Sequence, residues 1–151
     1  MLQEQLETHA SLIGWLPLIG VALFAWWKGD WPERGGGMLN LAAGAAAFLV
    51  RLLVDEGSAQ DVPLLLVDGV LAFGFLVLAM IFASLWLGGA MLLQAAQFSL
   101  HAFYIVTSRE HDWTYYLVNN VVTVGVLLAI VIGTIASWWR RSREQKLEAT
   151  T

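Results

Sequence analysis

Apolar residues run through this chain in blocks. Five of them, at about 10–27, 38–54, 63–86, 90–108 and 115–139, approach the ~20 residues an α-helix needs to cross the hydrocarbon core of a bilayer. The polar stretches between them are short: KGDWPERGGG at 28–37, DEGSAQD at 55–61, Gly88-Gly89, and REHDWT at 109–114. This pattern predicts an all-α fold, a polytopic transmembrane helical bundle of five spans with short loops in a single membrane domain. The first block is short and contains Pro17, which removes a backbone donor and bends a helix. A four-span bundle, with that block lying in the interface, is therefore the alternative.

Glycine and proline set the expected turns. Trp31-Pro32 and the three glycines at 35–37 read as a loop before the second span. Asp61 and Pro63 read as the start of the third. From Val62 to Val106 the sequence is nearly unbroken apolar residues, too long for one span, so it must fold back. Leu87-Gly88-Gly89 is its one break, which predicts a tight antiparallel hairpin turning there. With the turn near residue 88, Asp68 falls level with Arg109, and the two are expected to form an ion pair.

One block breaks the apolar pattern from within. Gln94, Gln97, His101, Tyr104 and Ser108 recur at steps of three or four, which places them on one face of the fourth helix. Lipid cannot satisfy such a face, because every unpaired polar group in hydrocarbon is costly. It should face protein, a ligand or water. A turn near residues 111–112 would set Tyr104 level with Asn119, and His101 level with Val122 and Thr123. That geometry predicts a network of Gln94, Gln97, His101, Tyr104, Asn119, Asn120 and Thr123. The network is either sealed, joining helices through hydrogen bonds, or it encloses a slot for a lipophilic ligand such as a quinone.

Composition sharpens this picture. The chain is 58% hydrophobic and 13% charged over 151 residues, far below the roughly 25% charge of a soluble domain. There is no cysteine, which excludes disulfides, thiolate metal sites and a cysteine nucleophile. A haem on His101 would need a second axial ligand at similar depth, and the other histidines, His9 and His111, lie at the outer interface. No cofactor is expected; quinone and haem are the alternatives to that reading. Glu110, His111 and Asp112 share a short turn where mixed charges are solvated, so no metal site is expected. Nothing in the sequence has the spacing of a catalytic constellation.

Basic residues fix the expected topology. Lys28, Arg34, Arg140, Arg141, Arg143 and Lys146 fall on one side of a five-span bundle, with Arg51 and Arg109 on the other. The first side is expected to be cytoplasmic, with the N-terminus outside and residues 140–151 a fraying basic tail. The expected location is a bacterial inner membrane. The expected function is association: an accessory subunit or assembly partner of a membrane complex, or a homo-oligomer, with the lipid bilayer and membrane-protein subunits as partners and no nucleic acid. The alternatives are a protein that binds a lipophilic ligand at the stripe, and a small transporter or channel. Against transport, the sequence shows no paired charges near the centre of a span.

Overall fold

The computed structural model describes residues 2–54, 58–110 and 112–149 and, within these, the side chains of 15–54, 59–110 and 112–149. His111, the side chain of His9 and residues 55–57 of the acidic loop lie outside the described residues. The chain is all-helical: α1 (Leu2–Lys28), α2 (Trp31–Leu53), α3 (Ser58–Phe82), α4 (Leu85–Val106) and α5 (Trp113–Glu148). Four of them, α2 to α5, are long and apolar enough to cross a membrane, and the described apolar part of α1, Trp15–Lys28, is shorter.

Each helix packs on its chain neighbours, and α5 closes back onto α1, so the five form a ring. Phe75 of α3, Leu87 and Ala90 of α4, Val126 and Ile130 of α5 and Ala25 of α1 are buried at its centre. The outer surface carries large apolar side chains such as Leu66, Phe73, Leu92, Leu128 and Ile132. A solvent of acyl chains asks for this distribution: apolar outside, polar groups only where they meet protein. Exposed Trp26, Trp27, Trp31, Trp138 and Trp139 gather at one end, and exposed Trp113 and Tyr116 at the other. Along α5, Trp113 and Trp138 are about 38 Å apart at 1.5 Å per residue, the separation of two aromatic belts.

Helix boundaries correct the sequence reading in four places, the first being the start of α3 at Ser58, which puts Asp61 and Pro63 inside the helix. α2 begins at Trp31, so the expected loop 28–37 shrinks to Gly29-Asp30. Asp30 is the N-cap, Pro32 sits in the first turn, and Glu33 accepts a hydrogen bond from the Asp30 backbone N–H at 2.9 Å. These are helix-start signals, and they outweigh the glycines. Gly36 is helical and buried because α4 approaches it closely: a Cβ there would come within 2.8 Å of the Trp86 ring.

The α3–α4 hairpin turns at Ala83-Ser84, not at Gly88-Gly89. Ala83 takes a positive φ of 46°, and both glycines lie inside α4 with open space where a Cβ would be. Finally, α5 continues to Glu148, so the basic segment expected to fray is helical through that residue. It is rich in Arg, Glu, Gln and Lys, all good helix formers.

Candidate functional site

Moving the α3–α4 turn back to Ala83-Ser84 changes which residues meet across the hairpin. Asp68 is no longer level with Arg109; it is level with Ser99, in the middle of the polar stripe. The expected Asp68–Arg109 pair does not form. The Asp68 carboxylate instead pairs with Nδ1 of His101, one oxygen facing the imidazole. Its other oxygen accepts hydrogen bonds from Nε2 of Gln94 at 3.2 Å and Nε2 of Gln97 at 3.3 Å. Asp68 is 7% exposed and His101 9%, about 15 Å along α3 from its start for the former. A carboxylate in that position is tolerable because two amides donate to it and an imidazole faces it.

The stripe works because of helical spacing on both helices. On α4, Leu87, Ala90, Gln94, His101 and Tyr104 are buried, an unbroken inward face. On α3, Asp68, Leu71 and Phe75 answer them. The apolar members close the lower half and the polar members the upper half. His101 presents one ring edge to Asp68, and its face stacks on Tyr115 of α5, with centroids 5.2 Å apart and planes at 24°. The pair thus sits where three helices meet. His101 faces Oδ2 of Asp68 through Nδ1, and its buried Nε2 has no hydrogen-bond partner among the described residues. A cavity of about 10 Å³ lies between His101, Asp61, Leu64, Ile105 and Tyr115, the room of a single water molecule.

Tyr104 is buried but turns outward at its hydroxyl. It donates to Oδ1 of Asp112 at 2.6 Å. Asp112 also accepts from the Tyr115 backbone N–H at 3.0 Å, as the N-cap of α5, and pairs with Arg109 at 2.9 Å. The Tyr104 hydroxyl first, then the Tyr115 N–H, hold the Asp112 carboxyl below the ordinary aspartate range. This cluster ties the α4–α5 connection to the top of the site.

The fifth helix corrects the remaining expectation. Since α4 ends at Val106 and α5 starts at Trp113, Tyr104 falls level with Tyr115 and not with Asn119. Asn119, Asn120 and Thr123 do not join His101. The Thr123 hydroxyl bonds back to its own helix at the Asn119 carbonyl, 2.8 Å away. Asn120 is exposed on the outer face of α5, and neither asparagine amide makes a hydrogen bond among the described residues. The sequence pattern did not single out Tyr115 or the pairing of Asp68 with His101. Both misses follow from the two displaced turns.

Arg51 is exposed in the last turn of α2. Among the described residues no group of three His, Cys, Asp or Glu is placed to hold a metal ion. No protein-family model matches the chain, and no curated protein or solved structure is significantly similar to it.

Proposed function

We propose that this chain is a small integral membrane protein that works by association, as a subunit or partner in a membrane assembly or as a homo-oligomer, and that protonation at Asp68–His101 regulates that association. The observation that carries the reading is the buried Asp68–His101 pair at the junction of α3, α4 and α5. Ionisable groups inside a membrane bundle are expensive and are kept for function. An imidazole is the side chain whose ordinary titration falls between about pH 5 and 8. A neutral His101 accepts at Nε2 and an imidazolium donates there, so gaining a proton reverses what that edge asks of its surroundings. Those surroundings are Asp61 and Asp68 of α3, Tyr104 of its own helix and Tyr115 of α5. Adjusting to that reversal shifts α4 against α5.

The outward Asn120 supports the association half of the reading. Its amide lies about 10 Å into α5 from Trp113, on a face with Leu117, Val121, Val124 and Leu128. Lipid offers it no partner, whereas a neighbouring helix does. The bilayer is read as a bacterial inner membrane with the Lys28–Arg141 end cytoplasmic, on the excess of basic residues there. The test is native mass spectrometry in mild detergent at about pH 5 and pH 8. The expected result is an assembly whose stoichiometry changes with pH in the unaltered protein and does not in His101→Gln. A protein monomeric and alone at both values, or an assembly indifferent to pH, overturns the reading.

A second reading, a small proton-coupled transporter, is favoured by the same pair, which supplies the intramembrane charges the sequence alone did not place together. Its test is acidification of liposomes holding the protein, expected to be faster than in empty liposomes and lost in Asp68→Asn. The small cavity beside His101 gives no comparable support to a quinone at the stripe, since a quinone ring needs a slot of pocket size.

A further inference from the structure

The other end of the bundle holds a cleft of about 750 Å³, between the N-terminal half of α4 and the C-terminal half of α5, with the start of α2 as its floor. Its volume lies in the range of ligand-binding pockets, roughly 300–1,000 Å³. The cleft exists because the facing positions are small. Gly89 on α4 and Ala129 and Ala136 on α5 leave a channel where ordinary side chains would interdigitate, while the Trp86 ring fills the space beside Gly133. Leu85 is 96% exposed and Ile132 62%, so the channel opens on the outside of the bundle, toward acyl chains.

Its polar groups are confined to one end. Arg140 stands at the mouth, its guanidinium donating to the buried Ser137 hydroxyl at 3.1 Å. Ser84, the N-cap of α4, lines the same mouth and leaves the first backbone N–H groups of that helix without a side-chain cap. One anion also borders the cleft. Glu33 is 2% exposed, and its carboxylate is engaged by the Trp86 indole N–H at 3.1 Å and the Asp30 backbone N–H. That charge repels an anion from the floor and leaves the mouth at Arg140 as the place for one.

The geometry points to a binding site for one anionic phospholipid, its chain laid along the Gly89–Ala136 channel and its phosphate at Arg140. Charge complementarity selects the occupant. Arg140 is followed by Arg143 and Lys146, and Arg34 lies on α2 at the same end, while Arg141 is taken up by Asp30 at 3.1 Å. Clusters of this kind attract anionic headgroups, and the channel supplies apolar walls for what is attached to the headgroup.

The experiment is native mass spectrometry of the full chain purified in mild detergent and supplied with equal amounts of phosphatidylglycerol and phosphatidylcholine carrying the same acyl chains. The unaltered protein is expected to retain one lipid, with at least about a tenfold preference for phosphatidylglycerol, a difference worth about 1.4 kcal/mol. Ala136→Leu fills the channel from an exposed position and is expected to lose both lipids while unfolding at the same temperature. Arg140→Gln is expected to keep lipid and lose the preference. Equal retention of the two lipids by the unaltered protein, or unchanged retention in Ala136→Leu, overturns the site. This cleft and His101 lie at opposite ends of α4, so neither outcome depends on the pH response proposed above.

Discussion

Among the described residues two carboxylates are buried, and they are held in opposite ways. Glu33 receives fixed donors: the indole of Trp86 and the backbone of its own helix start. Neither donor gains or loses a proton near neutral pH, so the arrangement has one state. Asp68 receives two amides and an imidazole. The amides are fixed, but the imidazole exists in two charge states. Around Glu33 the packing is correspondingly rigid. Trp86 is clamped between Gly36 of α2 and Gly133 of α5, where a Cβ would come within 2.8 and 2.6 Å of its ring. Around His101 the wall on one side is a stacked tyrosine and a small cavity. Equal burial therefore does not mean equal role. Glu33 fixes where α2, α4 and α5 meet, and Asp68 supplies a site that can respond.

The largest effect should come from removing the responsive carboxylate. Asp68→Ala breaks a buried pair and strands two amides, and a loss of about 3–5 kcal/mol is expected in chemical unfolding from detergent. A loss under about 1 kcal/mol would place the pair outside the packed interior. Next comes the fixed carboxylate. Trp86→Phe keeps a ring between the two glycines and removes one donor from Glu33, for an expected cost of about 1–3 kcal/mol. A cost under about 0.5 kcal/mol would mean that the indole N–H does not hold the buried carboxylate.

The turn that joins the two regions gives a smaller, opposite effect. Ala83 holds a left-handed conformation in which its Cβ crowds the backbone. Ala83→Gly should stabilise the bundle by about 1 kcal/mol, and a destabilised variant would argue against the turn at that position.

The same residue shows how far the sequence could be read. Blocks of apolar residues were enough for five helices in an all-α bundle, and the three-to-four spacing was enough to place Gln94, Gln97, His101 and Tyr104 on one inward face. Turn positions were not legible, because the two strongest turn formers of the hairpin, Gly88 and Gly89, are used as helical residues, while Ala83 accepts a strained φ. In a membrane hairpin that error propagates. A turn displaced along the chain changes every residue opposite, so Asp68 was matched with Arg109 when its neighbours are the glutamines and His101. The cleft was equally illegible, since Gly89, Ala129 and Ala136 carry no signal in the sequence of what lies beside them.

The smallest effect concerns the outer cluster. Asp112 is held below the ordinary aspartate range by Tyr104, the Tyr115 N–H and Arg109, so its contribution to stability is complete above the ordinary aspartate value. It is lost only as pH falls through the lowered folded value, below about pH 4. Acid unfolding of Asp112→Asn should diverge from that of the unaltered protein in that range and coincide with it in shape above about pH 5. Divergence near neutral pH would move the responsive site from His101 to this cluster.

Nuclear magnetic resonance of ¹⁵N-labelled histidine in nanodiscs, with His9→Gln and His111→Gln leaving a single imidazole, reads the responsive site itself. On acidification of the folded protein the Nδ1 and Nε2 signals of His101 should move together from those of a neutral ring to those of an imidazolium, and the movement should be lost in Asp68→Asn. Ring signals that stay fixed on acidification in a folded protein would make Asp68–His101 a second Glu33, a structural joint with one state.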